Sequence, residues 1–369
     1  MIIPNLGIMH LTSKPASLLF IASLFTISAN SVSSRYGDIS LAINKILFFV
    51  LIYTLFVADK CYKRLQKYDI YSGKLDSTGI CSVIDIIMIL FKKAADISAY
   101  LLLMKEQGKS IGFIPTMGAL HPGHISLLST SKKKDSITVC SIFVNPTQFN
   151  DSKDFDNYPS TIEKDIDALE KAGCDVLFLP SVSEMYPNGV SNVETYNLGY
   201  LETVLEGKYR PGHFQGVCLV VNRLLNIIPA DELYLGQKDY QQCMVIKRMM
   251  ELKGFKTTIN ICPTLREAGG LAMSSRNVRL SENNRKLALK ISEALSYIKN
   301  NLKPGDLKLL KQTTTNHLTD AGFKVDYVEI ANAENLEIID NWDGNQKTVA
   351  LAAAFIGDVR LIDNILLDT

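Results

Sequence analysis

Ser110 to His124 reads SIGFIPTMGALHPGH. Its opening run, SIGFIPT, is β-rich, and beyond a turn containing Gly118 a helix is expected to begin at about His124. The rhythm continues downstream: SITVCSIFV from Ser136 precedes a helix over Thr161 to Ala172, and CDVLFLP from Cys174 follows it. A helix from about Phe214 to Ile227 leads to ELYLG, a helix over Tyr240 to Leu252 comes next, and KTTINIC closes the series. Strands alternating with helices specify an α/β fold, a parallel sheet with helices on both faces. Ligands in such sheets bind beyond the carboxyl ends of the strands, so chemistry is to be sought in the segments that follow them.

On either side of this series the material changes. MILFKKAADISAYLLLMKEQGKS, Met88 to Ser110, reads as a self-contained amphipathic stretch leading into the first strand. After about Thr264 come two helices, Glu282 to Asn301 and Asp306 to Ala321, with a turn at Lys303, Pro304 and Gly305. KVDYVEIAN, KTVALAAAF and VRLIDNILL follow, which makes a smaller C-terminal α+β domain. The expected division is therefore 88–263 and 264–369.

The first 87 residues hold two apolar stretches, Pro15 to Ala29 and Ile46 to Ala58. The first has the length of a signal-peptide core behind Lys14 but a poor cleavage pattern. The second, ILFFVLIYTLFVA, is short for a membrane span, which takes about 20 residues. Three readings follow: a cleaved signal, a membrane anchor, or translation starting at Met88. The third is preferred, since Met88 opens a stretch that leads straight into the first strand. Membrane contact is expected only if residues 1–87 are a real anchor, and cytoplasmic placement is expected for the rest.

Composition narrows the function classes. The 369 residues are 47% hydrophobic with a formal charge of +1, so no basic field exists to hold nucleic acid. Lys132, Lys133 and Lys134 read as the solvated end of a helix. The seven cysteines form no CxxC pair, and several lie in apolar runs, as reduced core thiols do.

The segments after the strands carry the chemistry. In PTMGALHPGH, His121 and His124 can face one side of a first helical turn, where free N–H groups and the helix dipole favour phosphate. Gly118 and Gly123 let backbone approach a nucleotide closely. Neutral imidazole donates a hydrogen bond to a phosphate oxygen, and imidazolium would add charge. The alternatives are a histidine pair that caps a loop, or half a metal site, for which no third ligand follows. SIFVNPTQF, Ser141 to Phe149, offers Asn145 and Gln148 as amides able to grip a small polar acid. EGKYRPGHFQGV, Glu206 to Val217, reads as a flexible basic loop with Arg210 and His213. LGQKDYQQ places Lys238 and Asp239 after a strand and Gln242 on the next helix, and REAGGLAMSSRN ends in Ser274, Ser275, Arg276 and Asn277. Lys238 and Arg276 suit a pyrophosphate leaving group.

The HxGH element resembles the nucleotidyltransferase superfamily, which includes class I aminoacyl-tRNA synthetases. The five motifs in order resemble the pantothenate synthetase family across Met88 to Thr369. That resemblance implies a Rossmann-like nucleotide- and pantoate-binding domain over 88–263, a lid over 264–369, and a homodimer. It implies ATP-dependent condensation of (R)-pantoate with β-alanine through a pantoyl-adenylate, releasing AMP and pyrophosphate, with Mg2+ accompanying ATP. Its site residues map onto Met117, Gly118, Ala119, Leu120, His121, Pro122, Gly123 and His124 for ATP, His124 being catalytic. Gly236, Gln237, Lys238 and Asp239 would meet the nucleotide, Lys238 its phosphates and Asp239 its ribose. Leu265 would touch adenine through its backbone, and Met273, Ser274, Ser275 and Arg276 would close over the triphosphate. Gln148 and Gln242 would hold pantoate, Gln148 also lying near β-alanine, and no residue is assigned as a resident metal ligand. Two positions depart from the family pattern: Gly269 and Gln237 stand where acidic residues are usual, so a looser loop and altered nucleotide affinity are expected. Asp165 is a candidate for metal contact or, equally, a carboxylate at a helix N-terminus.

Overall fold

The computed structural model describes residues 88–149, 158–159, 161–189 and 194–367. The two early apolar stretches, Cys61 and Cys81 lie outside the described residues. Six strands, β1 (Ile89–Phe91), β2 (Ile111–Thr116), β3 (Ile137–Ile142), β4 (Val176–Phe178), β5 (Glu232–Gly236) and β6 (Thr258–Cys262), form one sheet. Every pairing is parallel and the order is β1-β4-β3-β2-β5-β6. Among the described residues, the five longest helices that accompany them are α1 (Ala94–Glu106), α2 (Pro122–Lys134), α3 (Ile162–Lys171), α4 (His213–Ile227) and α5 (Tyr240–Lys253). β3 is buried from end to end and β2 almost so, which is why both read as unbroken apolar runs. The chain steps outward from β2 to β3 and β4, then returns to build β5 and β6 on the other side. The strand order reverses there, and the crevice opens at that point.

β1 corrects one expectation. Met88 to Ser110 is not a single amphipathic stretch: Ile89–Phe91 pairs with Val176–Phe178, and only Ala94–Glu106 is helical. A run as short as Ile-Leu-Phe has no period to read, and pairing with β4 decides its state. The lysine run does form the last turn of α2, where Lys132 meets Asp175 at 2.8 Å and Lys134 meets Glu232 at 2.7 Å. Cys140, Cys174, Cys218, Cys243 and Cys262 are buried free thiols.

The C-terminal end of α2 seats Ser131 and Asp135 directly over Gly112 of β2, which has no side chain. A Cβ there would stand 2.1 Å from Ser131 Oγ and 2.3 Å from Asp135 Oδ2. The gap is filled by a polar cluster: Ser131 Oγ donates to Asp135 at 3.1 Å and pairs with Thr138 Oγ1 at 2.9 Å, while the Tyr234 hydroxyl donates to Asp135 at 2.5 Å. This contact fixes the height of α2 above β2, and so the position of the helix N-terminus.

A second sheet, ordered β11-β10-β8, is antiparallel and consists of β8 (Lys324–Asn332), β10 (Thr348–Ile356) and β11 (Val359–Leu366). Helices α6 (Glu282–Asn301) and α7 (Lys308–Asp320) cover one face. A two-residue pair, β7 (Gly305–Asp306) with β9 (Asn341–Trp342), closes the turn. β10 alternates between two cores: Ala350, Ala352 and Ala354 face α6 and α7, whereas Val349 and Leu351 join the core of the large sheet. Small residues on one side let the helices approach closely. Both sheets belong to one compact unit, Ile86–Thr369. Among the described residues, no helix is long and apolar enough to cross a membrane.

The Gly112 contact predicts its own test. Gly112→Ala overpacks the seam between α2 and the sheet and should lower unfolding free energy by about 1–3 kcal/mol, read from urea midpoints. An unchanged midpoint would mean that Ser131 and Asp135 move aside freely and that the close approach is incidental.

Candidate active site

The turn from β2 to α2 is strained and held. Gly118 has φ +80° and Ala119, unusually for a residue with a side chain, φ +49°. The buried Asp165 carboxylate accepts from Ala119 N–H at 2.9 Å and from Leu120 N–H at 2.8 Å, and the Thr161 hydroxyl adds a third donor at 3.2 Å. A Cβ on Gly118 would press on Asp165 and Ile142, each at 3.1 Å. Asp165 is therefore a helix N-terminal carboxylate that shapes the turn from β2 to α2, its oxygens taking two backbone N–H groups and one hydroxyl.

His121 and His124 cap the helix they begin. Gly123 N–H donates to His121 Nδ1 at 3.1 Å, His121 N–H donates to His124 Nδ1 at 3.3 Å, and the ring centroids are 4.1 Å apart. A Cβ on Gly123 would collide with the His121 ring at 2.8 Å, so only glycine admits this stack. Each Nδ1 accepts, so in the neutral rings the proton sits on Nε2. Burial, then His121 and Lys238, push the His124 pKa down to about 3 against the pull of Asp239. Burial and Lys238 likewise lower His121. Of the two forms allowed by sequence, neutral imidazole is the one this site holds, a hydrogen-bond donor rather than a cation.

Gln148 is aimed by its neighbours. The Tyr186 hydroxyl donates to Asn145 Oδ1 at 2.8 Å, which fixes the flip of that amide. Asn145 Nδ2 then donates to Gly216 O at 3.1 Å and to Gln148 Oε1 at 3.2 Å. The remaining end of Gln148, Nε2, donates to Met117 Sδ at 2.6 Å in the cleft wall. A Cβ on Gly216 would stand 2.2 Å from Thr147 O, so glycine in α4 allows the Gln148 turn to seat. Asn145, expected to grip a ligand, is 1% exposed and acts as this internal pin instead. The pair Gln241 and Gln242 divides similarly. Gln241 binds Leu201 O, Val204 O and Glu206 N–H. Gln242 lines the cleft, with no side-chain partner among the described residues.

Cations complete the cleft, whose volume is about 260 Å³. Lys238 lies 3.9 Å from Asp239, and the turn carrying both is held from β11: Asn364 Nδ2 donates to Gln237 O at 2.9 Å and Lys238 O at 2.8 Å. Burial raises the Asp239 pKa, but Lys238, Arg276 and Arg210 outweigh it and hold the group below the usual carboxylate range. Met273 N–H donates to Leu265 O at 3.0 Å, closing a hairpin in which Arg266 pairs with Ala272. Gly270 takes φ +95° at its tip, Arg266 binds Gly270 O at 3.0 Å, and Arg266 pairs with Asp363 at 2.6 Å. The Gly269–Gly270 pair, expected to loosen this loop, sits in a turn tied at both ends. Ser274 Oγ accepts from Arg276 N–H at 3.3 Å, and the Tyr158 hydroxyl bonds Ser275.

His121, His124, Gln148, Lys238, Gln242 and Arg276 line one cleft, joined by Met117, Gly123, Gly236, Asp239, Leu265 and Met273 to Ser275. Gly118, Ala119, Leu120, Pro122 and Gln237 lie outside its wall. Gly118, Ala119 and Leu120 build the turn behind the wall, Pro122 is the first residue of α2, and Gln237 turns to Asn364 at 3.2 Å. EGKYRPGHFQGV is not a flexible loop: Leu205–Tyr209 and His213 onward are helical, leaving only Arg210 to Gly212 between them. Tyr186, Asn364 and Tyr158 escape a reading of the sequence, because nothing local distinguishes them from core polar residues.

A family model described as pantoate-beta-alanine ligase matches residues 89–366. A pantothenate synthetase of Acetivibrio thermocellus is 44% identical over 285 residues, 76% of this chain and 100% of that protein. The crystal structure of pantothenate synthetase from Thermus thermophilus superposes with a TM-score of 0.70 at 36% identity, covering 76% of this chain and 100% of that one. A pantoate-beta-alanine ligase from Francisella tularensis, complexed with beta-gamma ATP and beta-alanine, gives 0.65 at 38% identity, over 77% and 99% of the two chains.

The buried histidines set a pH dependence. His213 is also held down, to about 4, by burial and Arg210. All three rings bind protons less readily when folded than at the unperturbed value of 6.5, so the unfolded chain takes up more protons below it. Stability should fall as pH drops from 6.5 towards 5, a window in which most carboxylates stay ionised. Urea midpoints of the native chain should show the fall, and His124→Asn should flatten it. Equal slopes for both proteins would mean that His124 is protonated in the folded state.

Proposed function

The chain belongs to the pantoate–β-alanine ligase family, and on that premise we propose how its cleft carries out the ATP-dependent joining of pantoate to β-alanine. The reading runs in two steps. A carboxylate oxygen of pantoate attacks the α-phosphorus of ATP, the bond to the bridging oxygen breaks, and pyrophosphate leaves with the electron pair. The nitrogen lone pair of β-alanine then attacks the acyl carbon of the pantoyl-adenylate. A C–N bond forms, the acyl–oxygen bond breaks, AMP leaves, and nitrogen sheds a proton.

The observation that carries this is the convergence of His124, Lys238 and Arg276 on a cleft that also holds Gln148 and Gln242. The turn from Met117 to Leu120 and the start of α2, Pro122 to His124, are assigned to ATP as the frame that presents Met117, His121, Gly123 and His124 to the phosphates, the N–H groups of Gly118, Ala119, Leu120 and Gly123 being bonded within the protein. His121 and His124 donate from Nε2, and His124 is the donor to the α-phosphate oxygens as their charge grows. Lys238 and Arg276 neutralise the departing pyrophosphate, with Met273, Ser274 and Ser275 closing over it. Asp239 accepts from ribose, Gly236 and Gln237 pass beside the nucleotide, and Leu265 meets adenine through its backbone. Gln148, whose Nε2 faces the cleft, and Gln242 hold pantoate, and Gln148 also borders β-alanine. Magnesium enters with ATP as part of the substrate. Among the described residues no group of three or more His, Cys, Asp and Glu side chains stands ready to hold an ion.

Residues 88–263 are assigned to nucleotide and pantoate binding and residues 264–369 to the lid, with residues 1–87 outside the chemistry. The cytoplasm is assigned as the compartment that supplies ATP. We also assign a homodimer, and sedimentation at the monomer mass would remove that assignment.

In the purified full chain, pyrophosphate release should require pantoate, and AMP release should further require β-alanine. His124→Ala should fold normally and lose pantoate-dependent pyrophosphate release by about 100- to 1,000-fold, the usual effect of deleting a donor to a developing oxyanion. Near-normal release would take His124 out of the mechanism, and release independent of pantoate would overturn the functional assignment.

A further inference from the structure

The reaction brings two carboxylic acids and a triphosphate into one cleft, and the assignments above leave the carboxylate of β-alanine without a partner. We propose that Arg210 binds that carboxylate, so that the turn Arg210 to Gly212 is a subsite for the acid end of a short ω-amino acid. The inference rests on the functional reading just given.

Arg210 lines the cleft, between the short helix Leu205–Tyr209 and α4. Arginine has no lone pair to offer, so the 2.9 Å contact between Arg210 Nη1 and His213 Nε2 runs in one direction, from the guanidinium to the ring. His213 must then carry its proton on Nδ1, which donates to Gln148 O at 2.8 Å. The guanidinium is thereby linked through one imidazole to the backbone of the residue assigned to the substrate acid and the incoming amine.

The adjacent acid does not consume it. Glu206 Oε2 stands 3.9 Å from Arg210 Nη1, beyond hydrogen-bond range. Both Glu206 oxygens instead receive Arg360, at 2.7 Å each, and Tyr327 adds its hydroxyl at 2.9 Å. No carboxylate among the described residues hydrogen-bonds Arg210, whose planar fork matches a carboxylate with two parallel N–H donors. With Lys238 and Arg276 given to phosphate, Arg210 is the cleft cation placed beside Gln148. An acid fixed there leaves the amine end of a two-carbon spacer to reach toward the acyl carbon, and a substrate lacking the acid loses its anchor.

The two half-reactions separate the possibilities. Pantoate-dependent exchange of labelled pyrophosphate into ATP needs no β-alanine, and Arg210→Gln should leave it within about twofold while raising the KM for β-alanine at least about tenfold, the range for losing a hydrogen bond to a charged group. Arg210→Lys should recover part of that loss. Wild-type enzyme should prefer β-alanine strongly over 3-aminopropanol, which lacks the acid, and Arg210→Gln should accept the two almost equally. An unchanged β-alanine KM, or preserved discrimination against 3-aminopropanol, overturns the subsite. A parallel fall in exchange overturns it too, and places Arg210 among the phosphate cations. Absence of pantoate-dependent exchange in the wild-type enzyme would instead defeat the functional reading, which keeps the two failures distinct.

Discussion

Everything in the cleft depends on the grip of one buried carboxylate on two backbone N–H groups. Asp165 accepts from Ala119 and Leu120 and thereby holds a turn whose φ values, +80° and +49°, are unfavourable for ordinary chain. Such strain persists only where the surroundings over-determine it. Here the surroundings are a parallel strand that ends at Thr116, a helix seated low on the sheet through Gly112, and a carboxylate from the neighbouring helix between them. Given those three, His121 and His124 have little freedom left. They fall at the helix cap, their inner nitrogens are consumed by backbone N–H groups, and their outer nitrogens remain to donate.

A second constraint joins the two sheets. Glu206, from the large-sheet side, is bound by Arg360 of β11 and Tyr327 of β8, and Arg360 also holds Asp326 at 2.7 Å. Burial raises the Glu206 pKa, and Arg360 and Arg210 more than reverse that, so the carboxyl stays below its ordinary value. Removing one member would leave an unpaired buried charge, which is far more destabilising than the intact pair is stabilising. Tyr240 adds a hydroxyl to Ala333 O at 2.7 Å, and Asn364 reaches the carbonyls beside Lys238. The C-terminal side of the cleft is thus built into the same frame as the floor.

Much of this is legible in the sequence because parallel strands buried on both faces leave unbroken apolar runs, as SITVCSIFV does, and because glycines and histidines at a strand end are hard to explain as packing. The places where sequence reasoning fails share a cause. Ile89–Phe91 is too short to show a period, and its strand state comes from pairing with β4. Arg-Pro-Gly at 210–212 signals a turn, but the flanks are helical because Glu206 and His213 are fixed by distant partners. Asn145 and Gln148 are both amides in one motif, and only burial decides that the first is a pin and the second lines the cleft. Asp165 suits a metal or a helix end equally well as sequence, and the geometry gives its oxygens to backbone.

The order of elements along the chain has a further implication. β11 follows the other described strands in the chain, and it carries both Arg360, which neutralises Glu206, and Asn364, which holds the turn bearing Lys238. Until that segment emerges, the growing polypeptide has Glu206 without its bidentate partner and the turn bearing Lys238 without its brace. Contacts this distant in sequence are also slow to form. The cleft is therefore complete only once β11 has joined it, and a copy ending before Val359 would lack both braces.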